Sequence, residues 1–249
     1  MNQHTRQGRT EDELSWFRRR GFLRGAAAWA ALGGWGAAVA QQRSNIVEMR
    51  GDALLNGQVL RPTQYIQTGD RIETGPGAHL VFVVGDAAIQ LRENTRVAVA
   101  RGRTLHTVSV LRLLTGAVAA AWGRGTPRQL VTPTLTAGIR GTGLYAEVRP
   151  GEDLRTYFCN CYGVIDLTAG REHLVSQADY HQSFWAEPAP VNGRLLTPAP
   201  AINHTDEEME FLARLLGERT PWQVAGRRGT KDGSGSLDPQ PGQVHPAVR

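Results

Sequence analysis

The two cysteines of the chain lie one residue apart, in the stretch Tyr157-Phe158-Cys159-Asn160-Cys161-Tyr162-Gly163. On a strand, residues two apart point to the same face. Tyr157, Cys159 and Cys161 therefore share one face, with Thr156 and Phe158 on the other. Two residues of strand separate the α-carbons by roughly 6.5 Å, near the outer limit for a disulfide. A bridge there needs a bend and closes a tiny loop, so a stabilising staple is the least attractive role. Three readings stay open: two small thiols packed in a strand, a redox-active pair, or half of a metal site.

The metal reading needs histidines to finish a tetrahedron. His173, His181 and His204 all lie downstream, in segments able to fold back over the strand. The candidate ligand set is Cys159, Cys161, His181 and His204, with zinc or copper as the ion that such donors suit. His79 and His106 read as ordinary surface histidines. Ser109, Ser176 and Ser183 lack nucleophile-elbow context, and the acidic residues at 206–210 read as a solvated helix start that favours the helix dipole. No catalytic residues are assigned, and the expectation is a protein that is not an enzyme.

These residues need elements to hold them. From Asn45 to Trp185, short apolar alternations recur at roughly ten-residue spacing, the pattern of an all-β sandwich, barrel or roll. Candidate strands include "HLVFVV", "AAIQL", "TRVAV", "GAVAAAW", "GLYAEV", "RTYFCN" and "GVIDL". Asn56-Gly57, Gly69-Asp70, Gly75-Pro76-Gly77 and Pro150-Gly151 punctuate them as turns. No amphipathic helices alternate with the strands, which argues against a parallel α/β sheet. The fold class expected is all-β, a double-layered sandwich or a β-helix-like roll, over residues 45–185. Residues 186–203 are rich in Pro and Ala and read as a semi-rigid strap. Residues 204–222 read as one short helix, with Thr205 and Glu208 as a capping box and Met209, Leu212, Leu215 and Leu216 on one face. Residues 223–249, polar and rich in Gly and Pro, read as a disordered tail.

The formal charge of +5 looks at first like a nucleic-acid signature, but it is uneven. Residues 1–40 carry six arginines against three acidic residues, leaving 22 basic and 20 acidic groups in the rest. No basic run follows position 40, so nucleic acid is not an expected partner. Arg19-Arg20-Gly21-Phe22-Leu23, a weakly apolar stretch, and then Ala38-Val39-Ala40 resemble a twin-arginine signal peptide cleaved after Ala40. The apolar stretch is too short, and too rich in Ala and Gly, for a spanning helix of about 20 residues. The chain is expected in the periplasm, with no stable membrane span after cleavage. Known cargo of this route crosses already folded, often with its cofactor loaded.

Two further segments carry a family resemblance. One is Gly69-Asp70-Arg71-Ile72-Glu73-Thr74-Gly75 with Ala78 and Leu80. The other, more distinctive, is "VTPTLTAGIRGTGLYAEV" (131–148), with Thr132-Pro133 and then Arg140-Gly141-Thr142 before a closing strand. "LRENTRVAV" (91–99) and Leu114-Thr115-Gly116 match in order between them. The chain over roughly 45–170 resembles a FecR-type periplasmic domain. The resemblance implies a β module that acts by contact, recognising an envelope protein or ligand in signal transduction. Members of that family typically also carry a cytoplasmic sigma-binding domain. Here 17 residues precede the arginine run, and an exported, free-standing domain is the expectation. A phosphate loop at "GIRGTG" is not expected, because a strand-like segment follows it and no lysine is near. Gly138, Gly141 and Gly143 read instead as a tight strand crossing, with Arg140 folded inward onto carbonyls or a carboxylate.

Overall fold

The computed structural model describes residues 43–102, 104, 107–125 and 127–227. The expected export signal (Arg19, Arg20, Phe22, Leu23, cleavage after Ala40) lies outside the described residues, as do His106 and residues 228–249 of the expected tail. Among the described residues the strands run β1 (Ile46–Arg50), β2 (Ala53–Leu55), β3 (Gln58–Val59), β4 (Arg71–Thr74), β5 (His79–Val84), β6 (Ala87–Leu91), β7 (Arg96–Arg101), β8 (Val108–Trp122), β9 (Arg128–Val131), β10 (Thr136–Ile139), β11 (Gly143–Arg149), β12 (Arg155–Ala169), β13 (Glu172–Ala178), β14 (Gln182–Val191) and β15 (Arg194–Ala199). Helices α1 (Asp206–Leu215) and α2 (Pro221–Val224) close the described chain.

The two 15-residue strands, β8 and β12, build the double layer. The first half of β8 pairs with β7 and β9 in one sheet, and its second half pairs with β6 and β11 in the other. β12 runs the opposite way: it starts between β11 and β14 and ends between β10 and β13. Both strands change sheet at a glycine with positive φ, Gly116 at 77° and Gly163 at 97°. Strands that turn such corners tie two sheets into one body. β8 and β9 run parallel, and the other ladders are antiparallel.

The sheet that holds β1, β5, β6, β8, β11, β12, β14 and β15 is covered on both faces at its centre, over β5, β6, β11 and the halves of β8 and β12 between them. Val118, Ala120 and Trp122 of β8 face the main core between the layers, with Phe82, Ile89, Leu144 and Phe158. The alternate residues Ala117, Ala119 and Ala121 face outward, with Ala88, Tyr145, Tyr157 and both cysteines. This is why "GAVAAAW" reads as unbroken apolar sequence: a sheet buried on both faces has no polar side. The outward alanines leave room for α1, whose Met209 and Leu212 are buried against this face. Thr205 caps α1 in the expected box with Glu208. Glu208 also accepts from Arg92 through both oxygens, at 2.8 and 2.9 Å, and from Gln90 at 2.9 Å, which ties the start of α1 to the sheet.

Three expectations need correction. Residues 186–203 are not a strap: most of them complete β14 and form β15, which pair as a hairpin around Asn192-Gly193, both at positive φ. That turn chemistry, with Pro188 and Pro190 where the ladder is interrupted and Pro198 on the edge strand, makes a strand of a sequence that composition alone reads as linker. The helical region also holds a second element, α2, whose Trp222 is buried, so the ordered chain extends past residue 222. Arg140 does bond a carboxylate, Asp166 at 2.9 Å, but its side chain lies in solvent rather than folded inward. The glycines around it do the packing work: Gly141 sits at φ 68°, and Gly143 leaves the space that the Tyr162 ring and Met209 fill.

Candidate metal centre

Cys159 and Cys161 lie on the outward face of β12, as the alternation requires, and both are fully buried free thiols. Their sulfurs are 3.8 Å apart. β12 bulges here, because Gly143 of β11 faces Tyr162 while Leu144 faces Asn160, which leaves Cys161 as the extra residue. His181 precedes β14 and is anchored by its backbone N–H to the Cys161 carbonyl at 3.1 Å. His204 lies just ahead of the α1 cap. The structure therefore brings together Cys159, Cys161, His181 and His204, with their donor atoms all within 4.8 Å of one another. His173 does not join them; it sits exposed on β13.

Each histidine is turned by a bond on its far side. His181 Nε2 donates to Asp206 Oδ1 at 2.8 Å, and Tyr180 Oη donates to Asp206 Oδ2 at 2.9 Å. His204 Nδ1 donates to the Ile202 carbonyl at 2.7 Å. Those bonds leave His181 Nδ1 and His204 Nε2 facing the sulfurs, with Nδ1 at 3.4 Å from Cys159 Sγ and 3.0 Å from His204 Nε2. Aromatic rings wall the cluster: Tyr145 stacks on His204 at 4.8 Å, and Trp222 on His181 at 5.5 Å. Carboxylate or carbonyl oxygens behind histidines, and apolar rings around them, are the usual outer shell of metal-ligating imidazoles.

The electrostatics follow from burial and these contacts. Burial alone would raise the Cys159 thiol, but hydrogen bonds from Cys161, His181 and His204 outweigh it and hold Cys159 well below the usual thiol range. Burial, then the Cys159 sulfur, push Cys161 well above it. Burial works against a charge on His181, yet its bonds to Asp206 and Cys159 raise the imidazole to about 9.

Sequence reasoning named the four residues that cluster here and missed the groups that support them. Asp206 is buried rather than solvated, since its carboxylate orients His181. Glu208 and Glu210 are also engaged, Glu210 accepting from Trp222 Nε1 at 2.7 Å. Tyr145 lies in a different part of the chain, and no local signal links it to His204.

Residues 70–156 match the model of the family described as FecR protein. The chain is similar to that family from just ahead of β4 to the opening of β12. Two crystal structures of a protein provisionally assigned as an anti-sigma factor, from Parabacteroides distasonis, are similar to this chain. One is 13% identical with a TM-score of 0.42, covering 59% of this chain and 73% of that one. The other is 12% identical with a TM-score of 0.43, covering 68% and 96%. No curated protein sequence matches the chain. Among the described residues no helix is long and apolar enough to cross a membrane.

Proposed function

We propose that this chain is an exported, non-catalytic FecR-type module that recognises an envelope protein or ligand by contact. The FecR match over residues 70–156 carries this reading, and the twin-arginine motif at Arg19-Arg20 with the cleavage motif ending at Ala40 supports the periplasmic location. A cleft of about 510 Å³ on the β body, lined by Arg92, Asn94, Tyr145, Glu147, Arg149 and Glu152 among others, has the size of a recognition site. Its charges are fixed in pairs, Arg149 holding Glu147 at 2.8 Å and Glu152 at 3.0 Å. A prearranged surface of this kind binds by complementarity rather than by net charge.

The test is a photo-crosslinking residue placed at Glu152 in living cells, followed by fractionation. A cleaved chain in the periplasm, joined there to one defined species, is the expected result. A chain retained in the cytoplasm of a twin-arginine-competent host overturns the location. Absence of any crosslink from Glu152 and from a second cleft position, Asn94, overturns the cleft as the recognition surface.

A further inference from the structure

The four donors at Cys159, Cys161, His181 and His204 have a geometry that goes beyond a contact module. For a tetrahedral zinc ion with the usual bond lengths, the ligand–ligand edges are roughly 3.8 Å between sulfurs, 3.5 Å from sulfur to nitrogen and 3.3 Å between nitrogens. Three of the six pairs in the protein stand at 3.8, 3.4 and 3.0 Å, and all six lie within 4.8 Å. Four protein donors fill every position, as in closed structural zinc sites. With the outer nitrogens donating to Asp206 and Ile202, the inner ones present lone pairs to the sulfurs and to each other. A single proton on His181 Nδ1 can point at the Cys159 sulfur or at His204 Nε2, but not at both. One central cation satisfies all four donors at once.

Charge selects the ion. Two thiolates and two neutral imidazoles sum to minus two, which a divalent ion cancels. Both sulfurs are fully buried, and a residual buried charge is costly. Cu⁺ leaves one negative charge uncompensated, and Cu²⁺ favours tetragonal rather than tetrahedral donors. The same burial denies an attacking thiol access to the sulfurs, which removes the redox reading.

The position of the donors defines the role. Both cysteines come from β12 in the β body, His181 from the turn before β14, and His204 from the segment that leads into α1. All four lie beyond residue 156, where the FecR match ends. We propose that Cys159, Cys161, His181 and His204 hold one Zn²⁺ as a closed, non-catalytic centre that clips the C-terminal helices onto the outward face of the FecR-type body. Ion binding and helix docking are then one event, since His204 reaches the sulfurs only when α1 lies on the sheet. Metal affinity becomes folding free energy for that segment.

The experiment uses the full exported chain, purified natively without chelators. Elemental analysis is expected to find one equivalent of zinc, and none in Cys159→Ser/Cys161→Ser. Exchange of zinc for Co²⁺ in the wild-type protein is expected to give the intense d–d absorption of tetrahedral cobalt with a thiolate charge-transfer band. That spectrum decides the matter even where the double variant does not fold. Chelation of the wild-type protein is expected to speed proteolysis within residues 200–227 by about tenfold or more, the factor lost when an ion held at ten times its Kd is removed. Stoichiometric copper in place of zinc, or a six-coordinate or absent cobalt spectrum, overturns the site. Metal present with proteolysis unchanged on chelation overturns the clip. None of these outcomes bears on crosslinking at Glu152, so the recognition reading stands or falls separately.

Discussion

Gly143→Ala tests the crossing of β11, β12 and α1 on which the outer face of the sheet depends. Gly143 does not have a positive φ, so alanine meets no backbone strain there. On that ground alone the substitution stabilises by about 0.4–1 kcal/mol, through the unfolded chain. Space decides otherwise. A Cβ at Gly143 would sit 2.8 Å from Met209 Cε and 2.8 Å from Tyr162 Cδ1, and nearer still to Cε1 of the same ring. Ordinary contact begins at 3.4 Å, so the ring must retreat at least 0.6 Å at Cδ1. Met209 can swing its terminal methyl aside, but the tyrosine cannot yield freely: it is buried, and Trp222 packs edge-on against it at 5.8 Å. Overpacking of this kind costs about 1–3 kcal/mol. Set against the entropic gain, the net loss is about 1–2 kcal/mol, a fall in Tm of about 2–8 °C for a domain of this size. Thermal unfolding of the two proteins measures it. Gly151→Ala is the control, since nothing lies within 4 Å of its Cβ position and its φ is ordinary; it is expected to be neutral or slightly stabilising. A Gly143→Ala protein as stable as the wild type would refute the packing argument for this glycine.

Further perturbations read other parts of the structure. Burial opposes the charge on Glu147, but hydrogen bonds from Asn203, Arg149 and Tyr145 prevail and hold its carboxyl below the ordinary value of 4.5. A depressed carboxyl stabilises the fold above its unfolded pKa and loses that contribution as pH falls through its folded pKa. The stability advantage of wild type over Glu147→Gln should therefore be full at neutral pH and shrink below about pH 4.5 in denaturant titrations; an advantage independent of pH contradicts the assignment. Arg128 is fully buried, and donates to the Gly123 carbonyl at 2.8 Å and to the Asp86 carboxylate. Because Asp86 is 45% exposed, solvent screens part of the pair, and Asp86→Ala should lower stability by about 1–2 kcal/mol; an unchanged denaturation midpoint counts against it. Thr205→Ala removes the side-chain acceptor for Glu208 N–H at 3.3 Å and should cost about 1 kcal/mol, with hydrogen exchange rising first at the start of α1. Exchange that rises evenly across the β body instead would show that the cap does not govern this helix.

Much of the architecture follows from local pattern. The ten-residue rhythm of apolar alternation selects an all-β body, because period-two patterning commits each strand to one buried face. The Thr205–Glu208 capping box and the stripe at Met209 and Leu212 place α1 and choose its inward face. The same period-two rule sets Cys159 and Cys161 side by side on one face of β12, and residue chemistry then offers His173, His181 and His204 as partners. The strap at 186–203 misled for a physical reason: Pro and Ala weigh against a strand on average, but an Asn-Gly turn at 192–193 and an edge position free the prolines from needing a ladder hydrogen bond. Asp206 misled in the same way, because an acid in a first helical turn is solvated unless something is packed upon it, and only the fold puts His181 there.

The amino-acid sequence alone determined the secondary-structure class, the family-like segments, the helix and its buried stripe, and a short list of candidate donors, two cysteines and the histidines downstream of them. Those depend on interactions within a few residues and on residue chemistry. Tertiary structure decided which histidine stayed out, which nitrogen of each ring faces the sulfurs, and that the four candidate donors meet within 4.8 Å of one another beneath a helix. These depend on where β12 turns at Gly163, on how closely α1 can approach an alanine-lined sheet, and on partners such as Asp206 and Tyr145 that are distant in sequence from the groups they support. Distances between segments come from packing, and packing is a property of the whole chain.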